Sequence, residues 1–352
     1  MSSTMKRVIG LMSGTSLDGV DLVCVDFDTN ALEDFNIQCS ETVAYSEEWT
    51  VKLREAIHKN RQELEILDLE YGALLAQYVQ SFIDKHALSS IDFIASHGHT
   101  ILHRPAMGIT LQIGNGALIA KITGLQVICD FRSQDVQLGG QGAPLVPIGD
   151  ALLFGKYDAC LNLGGFANVS YNKGSARIAF DISPVNIVLN HYCNSLGLAY
   201  DDKGSIAASG AVSQDLLNQL NGLPFYREKG PKSLGLEWVQ AAVFPLIDGF
   251  NLPMKDILRT CIEHMACQIA TVLSGRKEVL VTGGGVFNEF LMQRIAALSS
   301  LKISIPSSVL IAYKEALIFA LLGVLKSEDQ VNCLSSVTGA KHDHCSGVVF
   351  QP

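Results

Sequence analysis

The sequence predicts an α/β fold made of two similar halves. Strand-like residues 8–12 and 159–163 each lead into a polar glycine turn and then into a returning strand, and the two turns lie 150 residues apart (164 − 14). Helical and strand-like patterns alternate along the rest of the chain. Its 352 residues also exceed what one compact core usually holds. We therefore expect duplicated α/β halves, each opening with a β-hairpin and both facing a shared ligand.

The elements of the first half follow from hydrophobic periodicity. Apolar residues recur every three or four positions in the predicted helices and form short continuous runs in the predicted strands. A stretch rich in glycine and proline then ends the regular pattern at 138–147, and we place the hinge or crossover just before it. The predicted elements are strands 8–12, 20–27, 91–95 and 125–129 and helices 47–58 and 62–86.

The second half repeats the arrangement and adds a third glycine turn. This turn, Gly283-Gly284-Gly285, lies between a strand and a helix. The late apolar run 317–325 belongs to a helix that begins at Lys314 and is too short to span a bilayer. The predicted elements are strands 159–163, 167–171 and 278–281 and helices 253–273, 288–298 and 314–325.

Composition excludes several classes of partner. Hydrophobic residues make up 48% of the chain and charged residues 17%, which is typical of a dense globule. The formal net charge of −9 argues against nucleic acid and against an anionic membrane, because both require a basic face. Nine cysteines without a CxxC pair indicate reduced thiols, and the amino terminus lacks the apolar stretch of a signal peptide. We expect a cytoplasmic protein.

The first glycine turn has the chemistry of a phosphate-binding loop. Gly14, Thr15, Ser16 and Gly19 leave backbone N–H groups free to point at phosphate oxygens. The turn is not a P-loop, because Val20 stands where that motif requires lysine and a strand follows instead of a helix. An ordinary polar hairpin turn is the alternative.

The other two glycine turns extend the same pattern. Each follows a buried strand, and the third, which leads into a helix, can admit an adenosine or a phosphate. Taken singly, each turn can equally end a strand or act as a plain connector. The glycines concerned are Gly164, Gly165, Gly283, Gly284 and Gly285.

Asp181 is the candidate general base. It lies at the end of an apolar strand, just before Pro184. A carboxylate in that position can take a proton from an incoming nucleophile. The competing interpretation, which the sequence alone favours, is that Asp181 caps a helix beginning near Pro184.

Other polar residues suggest a binding site. His97 and His99 form an HxH pair after a strand, which can bind a metal in hydrolases, but no further ligands complete the set, and we favour hydrogen bonds to a polyhydroxylated ligand. Arg132 can hold a carboxylate or a pair of hydroxyls, or form an interdomain salt bridge. Glu315 can face a substrate or simply favour a helix start. The run 341–345 looks rich in metal ligands, yet a surface turn is the favoured account.

Taken in order, several motifs resemble the anhydro-N-acetylmuramic acid kinase family of the actin, Hsp70 and sugar-kinase superfamily. The resemblance covers nearly the whole chain, and its first and fifth motifs are long and specific. The motifs are GLMSGTSLDGVD (10–21), SHGHT (96–100), QIGN (112–115), DFR (130–132), GGQGAPLVP (139–147), NLGGFANVS (162–170), GGG (283–285) and VTGA (337–340).

The resemblance implies two duplicated actin-like (ribonuclease H-like) lobes with an interlobe nucleotide cleft, in which ATP binds with Mg²⁺. It places the first lobe at 1–131 plus about 330–352 and the second at 132–329. It also implies a homodimer and a small amino sugar as substrate, the 1,6-anhydro form of N-acetylmuramic acid, recovered during cell-wall recycling. The metal ligands stay unassigned.

The resemblance also implies a role for each site residue. Asp181 activates water, water opens the anhydro bridge at the anomeric carbon, and the freed 6-oxygen attacks the γ-phosphate. The sugar is contacted by His97, Thr100, Arg132, Asn186 and Glu315. ATP is contacted by Gly14, Thr15, Ser16, Leu17, Asp18, Gly19, Val20, Asp21, Gly164, Gly165, Gly283, Gly284 and Gly285.

Two departures from the family pattern keep alternatives open. Ser183 and Val185 replace two usual glycines around Pro184, and we expect Val185 to crowd the phosphate or sugar, since glycine permits close backbone approach. His99 replaces a more usual glutamine. The alternatives are a kinase for another anhydro sugar such as levoglucosan, a catalytically impaired ATP-binding module, or a metal hydrolase built on His97 and His99.

Overall fold

The computed structural model of this chain describes residues 4–14, 16–228 and 230–352. Thr15, one of the predicted phosphate ligands, lies outside the described residues. The strands in chain order are β1 (Met5–Met12), β2 (Gly19–Asp28), β3 (Ala31–Ala44), β4 (Phe93–Ser96), β5 (His99–Arg104), β6 (Ile109–Ile113), β7 (Val127–Cys129), β8 (Ala159–Leu163), β9 (Phe166–Lys173), β10 (Ala176–Pro184), β11 (Glu278–Thr282), β12 (Lys302–Ser304) and β13 (Val348–Phe350).

Helices connect these strands, together with short 3₁₀ turns and one π turn at Val239–Val243. The α-helices in chain order are α1 (Glu47–Glu55), α2 (Arg61–His86), α3 (Gly116–Thr123), α4 (Ser133–Gln137), α5 (Val146–Leu153), α6 (Asn186–Asn194), α7 (Ser205–Ala208), α8 (Gln214–Asn221), α9 (Leu236–Trp238), α10 (Phe244–Asp248), α11 (Met254–Val272), α12 (Glu289–Leu298), α13 (Ser308–Ser327) and α14 (Ser335–Thr338).

The chain divides into two compact units. Unit 1 comprises Met1–Leu153 and Tyr313–Pro352, and unit 2 comprises Phe154–Ala312. The sequence placed the boundaries at 131/132 and about 329/330, so the structure assigns 132–153 and 313–329 to the first unit instead of the second. Packing explains the difference, because Gly149 lies directly against the side chain of Ile318 within unit 1.

Each unit is built on one mixed sheet, and the two sheets share a strand order. In unit 1 the order is β3-β2-β1-β4-β7-β13, and in unit 2 it is β10-β9-β8-β11-β12. The first strand of each unit, β1 or β8, pairs antiparallel with its hairpin partner and parallel with the next strand on its other side. The predicted α/β class with duplicated halves is therefore confirmed.

The structure contains strands that the sequence did not predict. Strand β3 runs for 14 residues and none of them is fully buried, so it lacks the continuous buried run by which the other strands were predicted. The hairpin of β5 and β6 was also missed; it forms a separate two-stranded sheet. Strands with buried runs were found, because burial on both faces gives the continuous apolar pattern that the sequence analysis uses.

Helix α13 is longer than predicted and begins six residues before Lys314. Two glycines allow it to lie close on the sheet of unit 1: a Cβ at Gly10 would collide with the carbonyl of Ala316, and one at Gly323 would lie 2.7 Å from the Cβ of Ala95. Among the described residues, α13 alone has the length and composition that a membrane span needs, and most of that apolar stretch is buried inside the protein.

Candidate functional site

The loop after β1 is anchored by a chain of hydrogen-bonded side chains. The hydroxyl of Ser13 lies 2.6 Å from that of Tyr45 and 2.8 Å from Nδ1 of His99, and the hydroxyl of Tyr45 contacts that of Tyr71 at 2.5 Å. Burial lowers the pKa of His99 to about 4, so this imidazole is neutral at physiological pH. The two tyrosines escaped sequence analysis because each stands alone in its segment, far from the loop.

Within the loop, the residues serve different purposes. A Cβ at Gly19 would collide with the carbonyl of Val43, so this glycine permits strand pairing, and Val20 is buried in the core. Leu17 adopts a left-handed backbone with φ of 60°. Gly14 differs from Gly19: the nearest atom to an added Cβ would be the hydroxyl oxygen of Ser16 at 3.4 Å. Packing therefore does not require glycine at position 14.

Two aspartates of this segment keep carboxylate oxygens available. The hydroxyl of Ser16 donates to Oδ1 of Asp18 at 2.8 Å, and that of Thr42 donates to Oδ1 of Asp21 at 2.6 Å. Desolvation is the main cause that raises the pKa of Asp21, and the charge of Asp18 adds to it. Two neighbouring carboxylates with oxygens left available are suited to hold a cation.

His97 is a buried side chain that supports Arg132. It is 5% exposed, and its Nε2 accepts from Nε and Nη2 of Arg132 at 3.1 and 2.9 Å. Burial and the charge of Arg132 hold the pKa of His97 well below its usual range. The neutral ring therefore orients the guanidinium, and direct contact of His97 with the sugar stays a prediction.

Arg132 is held at two points and keeps donors free. Its Nη1 donates to the carbonyl of Gly142 at 2.6 Å, which leaves N–H groups on Nη1 and Nη2 beyond those that face His97. Burial lowers its pKa to about 10, so it stays charged at neutral pH. Among the described residues of unit 1 it forms no ion pair.

The remaining sites predicted in unit 1 are Thr100 and Glu315. Thr100 is half-buried, and its hydroxyl accepts from the side chain of Gln112 at 3.3 Å. Glu315 lies seven residues inside α13, not at the helix start as predicted. Its side chain is solvent-exposed, so the desolvation that raises its pKa is partial, while Lys314 and Arg132 oppose that rise. Arg132 and Glu315 thus share one region of unit 1.

In unit 2, Asp181 occupies a bulge of β10 and does not cap a helix. The pairing of β10 with β9 shifts between Asp181 and Ser183, and Oδ2 of Asp181 accepts from the backbone of Leu234 at 2.8 Å. Within the part of the chain that the structure describes, no group donates to Oδ1. The side chain is half-buried, and desolvation raises its pKa above the usual value.

Carbonyl groups of the second glycine turn accept hydrogen bonds from the backbone N–H groups at the start of α6. The carbonyl of Gly165 accepts from the backbone of Val185 at 2.8 Å, and that of Gly164 accepts from Asn186, the first residue of the helix, at 3.3 Å. This explains why Asp181 is not needed as a cap. An added Cβ at Gly165 would meet nothing nearer than Ile187 at 4.0 Å, so neither φ nor packing requires glycine there.

Ser183 and Val185 are both core residues. Each is 0% exposed, and Val185 belongs to the hydrophobic core of unit 2. The expectation that the Val185 side chain crowds a phosphate or sugar is therefore wrong, because that side chain points into the interior.

The third glycine turn contains two kinds of position. At a structural position an added side chain would collide with neighbouring atoms, and at an open position it would meet none. Gly283 has φ of 85°, and added Cβ atoms at Gly283 and Gly285 would each lie 2.7 Å from Leu163. At Gly284 an added Cβ would meet nothing within 4 Å. The helix that follows has its own cap, since the side chain of Asn288 accepts from the backbone of Leu291 at 2.9 Å.

Comparison with known proteins gives a consistent family. Residues 6–352 match the profile of the family described as "Anhydro-N-acetylmuramic acid kinase". A kinase of that name from Hydrogenovibrio crunogenus is 33% identical over 99% of this chain and 98% of its own length, and one from Shewanella sp. is 37% identical over 97% and 98%. A solved xylulose kinase structure from Lactobacillus acidophilus covers 99% of this chain and 94% of its own, with 13% identity and a TM-score of 0.45, too distant a likeness to bear on function.

Proposed function

This chain belongs to the anhydro-N-acetylmuramic acid kinase family, and we propose that it uses ATP to hydrolyse the 1,6-anhydro bridge of anhydro-N-acetylmuramic acid and to phosphorylate O6. The product is N-acetylmuramic acid 6-phosphate, formed in cell-wall recycling. The observation that carries the proposal is the carboxylate of Asp181, which is half-buried and fixed through one oxygen, while no described residue donates to its other oxygen.

Asp181 is suited to remove a proton from water. The N–H of Leu234 fixes its orientation through Oδ2, and Oδ1 is the oxygen that can accept the proton. Desolvation makes the carboxylate a stronger base than an exposed aspartate, because it raises the pKa. The activated water attacks the anomeric carbon, the bridging C–O bond breaks towards O6, and O6 then attacks the γ-phosphate, which releases ADP.

The open glycines are proposed to bind the phosphates of ATP. Neither packing nor a left-handed backbone requires glycine at Gly14, Gly164, Gly165 or Gly284. The space beside them lets phosphate oxygens approach backbone N–H groups. Asp18 and Asp21 would hold Mg²⁺, whose preferred ligands are carboxylate oxygens; bound there, this ion neutralises charge on the phosphates.

Arg132 is proposed to recognise the acidic group of the sugar. Its free N–H donors suit a carboxylate, and His97 and Gly142 fix the guanidinium in place. Thr100, Asn186 and Glu315 offer hydroxyl, amide and carboxylate groups for the sugar's hydroxyls. The cytoplasmic location and the homodimer are part of the same proposal.

A product assay tests the function directly. The purified chain is incubated with ATP, Mg²⁺ and either anhydro-N-acetylmuramic acid or levoglucosan, and the products are identified by mass spectrometry and ³¹P NMR. We expect a 6-phosphorylated, ring-opened amino sugar and much less product from levoglucosan, which has no carboxylate. Phosphorylation of levoglucosan alone would transfer the activity to another sugar, and nucleotide binding without any product would indicate an impaired module.

Removing the hydrogen-bond acceptor that orients Arg132 should raise KM more than it lowers kcat. In His97→Leu the guanidinium loses its acceptor, and we expect KM for the anhydro sugar to rise about 10- to 100-fold, as expected for a hydrogen bond to a charged group. In His97→Gln an amide oxygen replaces Nε2 as acceptor, so KM should stay within a few-fold of the original.

Steady-state kinetics at several pH values check this assignment. Because the pKa of His97 lies well below its usual range, no pH dependence between pH 6 and 8 should come from this residue. Equal KM values for His97→Leu and His97→Gln would show that His97 has no positioning role.

A further inference from the structure

The C-terminal segment carries a buried cluster of side chains that the kinase reaction does not use. Asp135 of α4, Cys333 and His344 are 0%, 1% and 5% exposed. One ligand atom from each lies within 4.8 Å of those from the other two. The sequence favoured a surface turn for 341–345, and this is wrong for His344, which points inwards.

Backbone pairing brings Cys333 and His344 together. The two residues form an antiparallel bridge, in which the N–H of each lies 3.1 to 3.2 Å from the carbonyl of the other. Asn332 reinforces the bridge, because its side chain exchanges hydrogen bonds with the backbone of Ser346 at 2.6 and 2.8 Å. Side chains directly opposite each other on neighbouring strands lie on the same face, so both reach Asp135.

The imidazole of His344 faces the carboxylate without a hydrogen bond. Its Nδ1 lies 3.1 Å from the carbonyl of His342, which can only accept, so the ring proton is on Nδ1. Nε2 then presents a lone pair. It is buried, has no hydrogen-bond partner, and lies 3.6 Å from Oδ1 of Asp135, too far for a hydrogen bond. Oδ1 of Asp135 accepts from the thiol of Cys333 at 3.1 Å and from the hydroxyl of Thr338, so a cation at this point would replace the thiol proton and also satisfy the lone pair of Nε2.

We propose that Asp135, Cys333 and His344 bind one divalent metal ion of the zinc class. Carboxylate oxygen, thiolate sulfur and imidazole nitrogen are the ligands that Zn²⁺ prefers. Separations of 3.1 Å from Sγ of Cys333 to Oδ1 of Asp135 and 3.6 Å from Nε2 of His344 to the same oxygen suit ligands about 2.0 to 2.3 Å from one tetrahedral ion. Binding forms the metal–sulfur bond and releases the thiol proton of Cys333 to solvent.

A metal ion bound here would have a structural role, because it would link two segments of the chain beside Arg132. Oδ2 of Asp135 accepts from the backbone of Gly142 at 2.6 Å, and the carbonyl of Gly142 accepts from Arg132. Thr338 also donates to Oδ1 of Asp135 at 2.7 Å. A metal would thus join the C-terminal segment to the loop that holds the guanidinium, and it would do so whatever sugar the enzyme uses.

Cobalt substitution tests the site in the full-length chain. After treatment with a chelator, we expect one equivalent of Co²⁺ to give a thiolate-to-cobalt charge-transfer band and the intense visible bands of tetrahedral coordination, and one equivalent of Zn²⁺ to remove both. Zn²⁺ should also raise the melting temperature by a few degrees, because it binds only the folded state.

Variants identify the ligands. Cys333→Ser and His344→Gln should each lose the cobalt spectrum, whereas Cys345→Ser and His342→Gln, which change the half-buried and exposed neighbours in the same run, should keep it. A band that survives Cys333→Ser or disappears in Cys345→Ser would overturn the assignment. Failure of the unmodified chain to bind either metal would overturn the proposal even if the variants do not fold.

Discussion

Asp181→Asn should reduce kcat for the anhydro sugar by about 10²- to 10⁴-fold, the usual contribution of a general base, while ATP binds as before. The amide oxygen of asparagine can still accept from Leu234, so the local structure should persist. What is lost is the ability to take a proton from water. Single-turnover kinetics give the chemical rate, and calorimetric titration with a non-hydrolysable ATP analogue gives the affinity.

Asp248→Asn is a matched control, since it alters another hydrogen-bonded carboxylate of unit 2, which accepts from Tyr192 at 2.9 Å and has no assigned role. Its kcat should stay within a few-fold of the original. Full activity of Asp181→Asn, or equal losses in both variants, would refute the assigned base.

The raised pKa of Asp181 also predicts the shape of the pH profile. Below that pKa the carboxyl group is protonated and cannot act as a base, so the acidic limb of kcat/KM should lie above the ordinary value of 3.8. The raised pKa has the opposite effect on stability, which falls as the pH rises. The folded state binds this proton more tightly than the unfolded state, so deprotonation lowers stability as the pH rises. Asp181→Asn should therefore melt at neutral pH at the original temperature or slightly above it.

Much of the fold was accessible from the sequence because its signal is local. Strand β8 was predicted with its observed bounds, and α11 and α12 were each predicted to within one residue per end. Strand β3 was not found, since it has no fully buried residue and no continuous apolar run. The domain boundaries were misplaced because the packing of Gly149 on Ile318 joins residues far apart in the sequence, which no local pattern reveals.

The site shows the same division between local and long-range information. Glycine turns can be recognised locally, but whether a glycine is structural, as at Gly19, or open, as at Gly14, depends on what a Cβ would contact. His97 and Arg132 were both singled out, yet their mutual hydrogen bond links residues 35 positions apart. The role of Asp181 as a helix cap was excluded only when the carbonyls of the Gly164-Gly165 turn were seen at the start of α6.

The second large effect concerns stability. Lys314 and Asp150 form an ion pair of 3.0 Å in the interior of unit 1, with side chains only 6% and 5% exposed. In Lys314→Met the carboxylate of Asp150 stays buried and loses this ion pair, which should lower the free energy of unfolding by about 3 to 5 kcal/mol. Trp49 lies in unit 1 and Trp238 in unit 2. Urea unfolding followed by fluorescence in a Trp238→Phe background therefore reports on the affected unit.

A comparison with an exposed ion pair tests whether burial, and not the ion pair alone, causes the loss of stability. Lys302→Met removes a lysine at a similar distance, 3.0 Å from Glu278, but there the side chains are 73% and 34% exposed. Water solvates the remaining carboxylate, so the cost should be no more than about 1 kcal/mol, measured with Trp238 as the probe of unit 2. Adding Asp150→Asn to Lys314→Met should recover part of the lost stability, because the buried negative charge is gone. If Lys314→Met costs no more than Lys302→Met, the interior of unit 1 is more accessible to water than its geometry indicates.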